Sequence, residues 1–257
     1  MCELLGMECN VPTDITFSFH GLASRGGKCG PHADGWGLAL YEGRLARVFL
    51  EPEAAARSAL ATFVREHPIK TLLAIAHVRR KTRGGIDLVN THPFTRELWG
   101  RHFVFAHNGT VKRVKKLGRF KPIGDTDSES AFCALLAALE HDFKDYPRSA
   151  ADLANAVAHH AGQIGKGGTF NMLLGDGSQL FARCSTKLHY ILRHSPFKKA
   201  TLADEDVTVD FAAVTTPKDR VAIVATMPLT RDETWTQGEP NTMWVFKAGR
   251  LARTLPS

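Results

Sequence analysis

The chain has 257 residues, a formal net charge of +7, 44% hydrophobic and 23% charged residues. Such a composition excludes a disordered, collagen-like or coiled-coil protein and is that of a globular chain long enough to bury a large core. No apolar run approaches the ~20 residues that span a bilayer, and the amino terminus lacks the basic and apolar regions of a secretory signal, so a cytoplasmic chain with no membrane role is expected. The five cysteines (Cys2, Cys9, Cys29, Cys133 and Cys184) contain no CxxC pair, which argues against both a thiolate zinc site and a disulfide framework. Cys133 lies in an apolar run and reads as a small core residue.

Glu3 to Gly6 opens the chain as a short strand. Pro12-Thr13-Asp14 starts a helix with Thr13 or Asp14 as N-cap, continued by Ile15, Phe19 and Leu22 at helical spacing. Arg25 to Pro31 is a glycine-rich loop. Trp36–Tyr41 and Arg44–Phe49 form a hairpin around Glu42-Gly43, and Pro52 opens an alanine-rich helix that ends near Glu66. Thr71–Val78 is a continuous apolar run, hence a buried strand; Phe103–Ala106 is another. Thr126 and Glu129 have capping-box spacing at the start of a helix reaching His141, and Asp152–Ile164 is a further helix. Strands follow at 170–174, 179–183, 188–192, 220–226, 243–247 and 251–254. Strands, then helices, then strands again, with little βαβ alternation, predict an α+β fold of antiparallel sheets. No linker or repeat divides 2–257, so one domain is expected.

Chemistry-bearing residues fall at element ends. Cys2, if Met1 is removed, carries a thiol and a free α-amine, a nucleophile with its own base. Asn108-Gly109 follows a buried strand and reads first as a turn; the alternative is an oxyanion hole built from an amide side chain and a backbone N–H. Arg79 ends an apolar strand, where it either is solvated or forks onto a carboxylate. Asp127 sits in a helix's first turn, as a simple cap or as a ligand for an ammonium group. His92 reads first as structural, and His159-His160 do not share a helix face, so no metal is expected. The cations of the run Lys112–Lys121 read as a solvated loop before an acidic partner or nucleic acid.

In register, Met1-Cys2-Glu3-Leu4-Leu5-Gly6, Arg25-Gly26, Asp34-Gly35-Trp36-Gly37, His77-Val78-Arg79, Asn90-Thr91-His92-Pro93-Phe94, Ala106-His107-Asn108-Gly109 and Thr126-Asp127-Ser128-Glu129 resemble the class II glutamine amidotransferases. These are N-terminal-nucleophile hydrolases, and the resemblance is to the single-domain YafJ-like branch. It implies a four-layer αββα sandwich of two antiparallel sheets. It further implies Cys2 as nucleophile after loss of Met1, Asn108 and Gly109 as oxyanion hole, and Arg79, Thr82 and Asp127 as ligands of the glutamine α-carboxylate and α-ammonium. Arg25, Trp36, His92 and His107 fall in motifs that line such sites. Arg83 departs from relatives with His at that position. No metal or organic cofactor is implied. The expected substrate is glutamine or another γ-glutamyl or linear amide. Since the chain reaches Ser257 without a synthase domain, either a separate ammonia-accepting partner protein or a stand-alone amide hydrolase is expected; a homo-oligomer is a further option. A non-catalytic glutamine-binding module is the reading from outside enzymes.

Overall fold

The computed structural model describes residues 2–82, 84–112, 114 and 118–257. Met1, Arg83, and Arg113, Lys115 and Lys116 of the basic run lie outside the described residues. The elements are β1 (Glu3–Thr13), α1 (Thr16–Arg25), β2 (Trp36–Glu42), β3 (Leu45–Glu51), α2 (Ala59–Glu66), β4 (Thr71–Val78), a 3-10 turn at Leu88–Asn90, β5 (Phe94–Leu98), β6 (Arg101–Val111), α3 (Asp127–Asp142) and α4 (Ala150–Gly165). Then follow β7 (Gly168–Gly175), β8 (Leu180–Cys184), β9 (His189–His194), β10 (Lys199–Thr201), β11 (Thr208–Asp210), α5 (Phe211–Val214), β12 (Arg220–Ala225), β13 (Thr236–Gln237), β14 (Thr242–Lys247) and β15 (Arg250–Pro256).

The larger sheet runs β13-β9-β12-β1-β4-β2-β3 and the smaller β15-β14-β8-β7-β6-β5, with antiparallel pairing in both; β10 and β11 form a separate pair. Strand alternation sorts the apolar residues into three layers. Leu4 of β1, Leu73 and Ile75 of β4, and Val104 and Ala106 of β6 meet between the sheets. Leu5, Met7, Ala74 and Ala76 point the other way, onto Phe19 and Leu22 of α1 and Val64 of α2. Phe103 and Phe105 cover the far face of the smaller sheet with Phe132, Leu135 and Leu139 of α3 and Leu153 and Val157 of α4. This is the αββα order. Gly6 lets the sheets approach, since a Cβ there would stand 2.9 Å from the Leu180 Cδ2 methyl.

Several boundaries differ from the sequence reading. β1 continues through Thr13, so α1 starts at Thr16 with Ile15 as N-cap, and Asp14 instead accepts from Thr16 N at 3.2 Å. The second helix starts at Ala59, not Pro52. Ser58 is its cap, accepting from Ala61 N at 2.8 Å, while Ala54 and Ala55 pack under the glycine loop at Gly26-Gly27. The capping box at α3 is half made. Thr126 accepts from Glu129 N at 3.2 Å, but the Glu129 carboxylate takes Ile123 N and Gly124 N and pairs with Arg96 instead of returning to the cap. The β5–β6 hairpin turns at Trp99-Gly100, both at positive φ. A tryptophan in a left-handed turn position carries no turn signal, which is why the sequence reading has no strand at Phe94–Leu98. Asn108-Gly109 is not a turn: it lies within β6, Asn108 paired with Asn171 and Gly109 with Phe170 of β7. No helix among the described residues is long and apolar enough to cross a membrane.

Candidate active site

Cys2 enters the larger sheet's central strand, where Glu3 pairs with Val78. That register carries the thiol alongside the exit of β4. Arg80 N donates to the sulfur at 3.3 Å, and the thiol donates to Arg80 O at 3.4 Å. Burial pushes the Cys2 thiol up from its ordinary value, opposed by the Arg80 amide and the Arg79 charge. Glu3 is held by Arg25, which donates to its carboxylate at 2.9 Å, to Asp204 at 2.6 Å, and to the carbonyls of Met227 and Pro228. Arg25 thus ties down the residue next to Cys2.

A cleft of about 130 Å³ brings together Cys2, Arg80, Thr82, Asn108, Gly109, Thr110 and Thr169. Both sheets contribute: Cys2 leads into the larger one, while Asn108-Gly109 and Thr169 belong to the smaller. Asn108 is 1% exposed, and its Oδ1 is buried without a hydrogen-bond partner. A buried amide with an unmet group costs about 1–3 kcal/mol. Gly109 has φ +149°, and a Cβ there would lie 2.0 Å from Thr169 O. Only glycine fits.

Lys112 N donates to Gly167 O at 3.1 Å, continuing the register in which Asn108 faces Asn171. In that antiparallel register even-numbered residues of β6 aim both backbone groups at β7, and odd-numbered N–H groups point to the opposite edge. Val111 N obeys this and donates to Asp127 Oδ2 at 2.8 Å. The Gly109 N–H lies on the same edge. Asp127, in the first turn of α3, also accepts from Ser128 N at 3.0 Å, a favourable place for a carboxylate. Arg79 is buried, with Nη1 donating to Gly85 O at 2.7 Å and its backbone N to Gly35 O at 2.7 Å. Asn90 joins this loop to α3 by accepting from Asp125 N at 3.1 Å.

The other candidate residues lie deeper. Trp36 is fully buried on the helix-facing side of the larger sheet, 5.6 Å from the Phe19 ring, with Nε1 donating to Glu51. His92 stacks on His77 at 4.3 Å, and none of their four ring nitrogens has a hydrogen-bond partner. Burial, with the Arg79 charge next, lowers His77 to about 3, and burial likewise holds His92 far below its ordinary value, so both rings are neutral. His107 is neutral for the same reason. Its Nε2 donates to Thr169 O at 3.1 Å, because a carbonyl can only accept, and its Nδ1 therefore accepts from Ser128 Oγ at 2.8 Å. Sequence reasoning passed over Arg80, Thr110 and Thr169 at the cleft and Asn171 behind it. Asn171 alone left a trace, as a polar residue inside the apolar run 170–174.

Among the described residues no group of three or more His, Cys, Asp or Glu side chains is placed to hold a metal ion. Four layers with the nucleophile candidate entering the central strand define the N-terminal-nucleophile hydrolase arrangement. The structure shares its fold with glutamine phosphoribosylpyrophosphate amidotransferase of B. subtilis, at TM-score 0.62 and 13% identity over 99% of this chain and 49% of that one. The family profile "Glutamine amidotransferases class-II" matches residues 1–257. YafJ of Escherichia coli (strain K12) is 49% identical over 251 residues, 97% of this chain and 98% of YafJ. A Pseudomonas aeruginosa PA01 crystal structure is 43% identical with TM-score 0.79, covering 98% of this chain and 100% of that one. The chain belongs to the class II glutamine amidotransferase family.

Proposed function

We propose that the protein is a cysteine amidohydrolase that releases ammonia from the side-chain amide of glutamine, once Met1 has been removed. The single observation that carries this reading is the shared cleft: the Cys2 thiol and the Asn108-Gly109 pair come from different sheets yet line the same 130 Å³ of space. A nucleophile facing preset donors is the arrangement acyl transfer needs.

Cys2 Sγ attacks the amide carbon, and the carbonyl electrons move onto its oxygen. The Gly109 N–H and the Asn108 side-chain amide receive the resulting negative charge. The Cys2 α-amine, freed when Met1 leaves, takes the thiol proton and delivers it to the departing nitrogen. This matters because the buried thiol is held in its neutral form; a base of reference pKa about 7.7–8.0 on the same residue answers that cost. Ammonia leaves, a γ-glutamyl thioester remains, and water hydrolyses it to glutamate. Arg79 takes the substrate α-carboxylate, assisted by Thr82 of the cleft lining, and Asp127 the α-ammonium.

The test is glutamate and ammonia release from glutamine and from a panel of γ-glutamyl amides, with intact mass reporting loss of Met1. Release from glutamine that disappears in Cys2→Ala supports the reading. A processed protein inactive on glutamine but active on a substituted γ-glutamyl amide moves the substrate assignment. A processed protein inactive on all of them leaves a binding module.

A further inference from the structure

The oxyanion-hole residues are held from behind by a side chain to which nothing so far gives a role. Asn171 stands directly across from Asn108 on β7 and is buried. Its Nδ2 donates to Asn108 O at 3.2 Å and to Thr186 Oγ1 at 2.9 Å. Its Oδ1 accepts from Ser185 N, Thr186 N and Lys187 N at 2.8, 3.0 and 3.4 Å. The amide is therefore fully engaged and cannot rotate without breaking bonds to the backbone turn between β8 and β9.

The group it grips is half of the catalytic donor. Asn108 C=O and Gly109 N–H belong to one peptide unit, and that unit is trans, since the cis bonds lie at Pro93 and Pro196. In a trans peptide the C=O and N–H point in opposite directions. Holding the Asn108 oxygen on the β7 side fixes the Gly109 N–H on the other. We infer that Asn171 is a positioning residue for the oxyanion hole, setting the plane of the Asn108–Gly109 peptide and polarising its N–H toward developing negative charge. This rests on the reading of Cys2 and Asn108-Gly109 as nucleophile and oxyanion hole.

Two features make the peptide need such a hold. Gly109, at φ +149°, lacks the steric restraint that a side chain gives its neighbours. Beyond the Phe94–Phe105 pair, β6 has no β5 partner, so its outer edge offers no ladder to fix the plane. The Asn108 oxygen also faces β7 in the ladder register, so the Asn171 side chain adds a second donor to it. Donation to a peptide oxygen strengthens the N–H at the other end of the unit.

The test is Asn171→Asp. It is isosteric and keeps an acceptor for Ser185, Thr186 and Lys187, but removes the donor to Asn108. The expected result is a kcat on glutamine lowered about 10- to 100-fold, less than the loss of a whole oxyanion donor, with KM within about threefold. Glutamine binding measured calorimetrically on the Cys2→Ala background stays unchanged with and without Asn171→Asp. Asn171→Ser, whose hydroxyl is too short to reach the carbonyl, supplies a second variant should the aspartate not accumulate as folded protein, and it moves kcat the same way. A merely structural Asn171 would lower thermal stability while folded enzyme kept its kcat. Wild-type kcat in either folded variant, or a loss confined to KM, overturns the inference alone. Absence of amide turnover in the wild type, with Cys2→Ala no different, overturns the underlying reading and the inference with it.

Discussion

Replacing Gly109 by alanine tests the geometry of the cleft most directly. The added methyl would stand 2.0 Å from Thr169 O, 2.7 Å from Thr169 C and 3.0 Å from His107 Nε2. Two of those atoms are backbone of the neighbouring strand, so no side-chain rotation relieves the contact. A carbon and a carbonyl oxygen need about 3.3 Å between them, so β6 and β7 must part by more than an ångström at this point, or the 108–109 peptide must turn. The φ of +149° adds strain for any residue with a Cβ, of order 1–3 kcal/mol. A misplacement of about 1 Å costs on the order of 10²-fold in rate, which is about 2.7 kcal/mol of barrier. The strain should lower Tm by roughly 2–10 °C for a chain of this size. Steady-state glutamine hydrolysis and thermal unfolding, measured on the same preparation, read both effects. Alanine at 109 with wild-type kcat and Tm would refute the steric argument and, with it, the placement of the oxyanion donor on this strand.

Cys2→Ala should abolish glutamine hydrolysis while calorimetry still detects glutamine binding; turnover within tenfold of wild type would exclude Cys2 as the nucleophile. Arg79→Lys should raise KM by about tenfold or more with a smaller change in kcat, because an ammonium cannot make the planar fork; an unchanged KM would remove Arg79 from the substrate. Glu8 provides a pH signature unconnected with the chemistry. Burial raises its carboxyl from 4.5 to about 7, against the amides of Gly249 and Ala248, each 2.7 Å from a carboxylate oxygen. The folded value lies above the unfolded one, so the contribution is full below about pH 4.5 and is lost as pH rises through 7. The loss is about 3 kcal/mol. Urea unfolding at pH 5 and pH 8 should show this decline in the wild type and a flatter profile in Glu8→Gln; equal slopes would show that Glu8 does not titrate in this range.

The parts of the fold that read clearly from sequence are those where one local rule decides. Leu73–Val78 is buried on both faces and shows it as an apolar run interrupted only by His77. Thr126 caps α3 because its hydroxyl can reach an amide three residues on. The errors fall where a distant neighbour decides. Asn-Gly at 108–109 has the composition of a turn, yet β7 pairs with both residues and holds them in a strand. The actual turn, Trp99-Gly100, has a residue that local preference would not choose, and Trp99 is kept there by packing against Phe103, Phe143 and Tyr146. Pro52 is a good helix starter, but the glycines at 26 and 27 draw Ala54 and Ala55 into a close contact before a helix can begin. The site followed the same division. Of the residues proposed for the site, Cys2, Arg79 and Asp127 stand out as residue types at element ends, whereas Asn108 lies inside β6. Asn171, held by residues 14 to 63 positions away, shows locally only as a polar residue inside an apolar run.

The strand that delivers Cys2 is the middle one of seven. One of its neighbours, β12, arrives late: Leu4 N finds its hydroxyl partner on Thr226, 222 residues further along. Contacts of that separation carry a high loop-closure cost and form slowly. The order of assembly follows. Helices α3 and α4 and the β6–β7 half of the cleft rest on closer contacts and can form first, while Cys2 is seated only once β12 has docked. Pulse-labelling hydrogen exchange should therefore show the amides of Gly6 and Glu8, which face β12, protected after those of Phe105 and Leu173. Conversely, once β12 has docked, freeing Cys2 from its place requires opening the larger sheet itself, so the exchange of those same amides should approach the global unfolding limit.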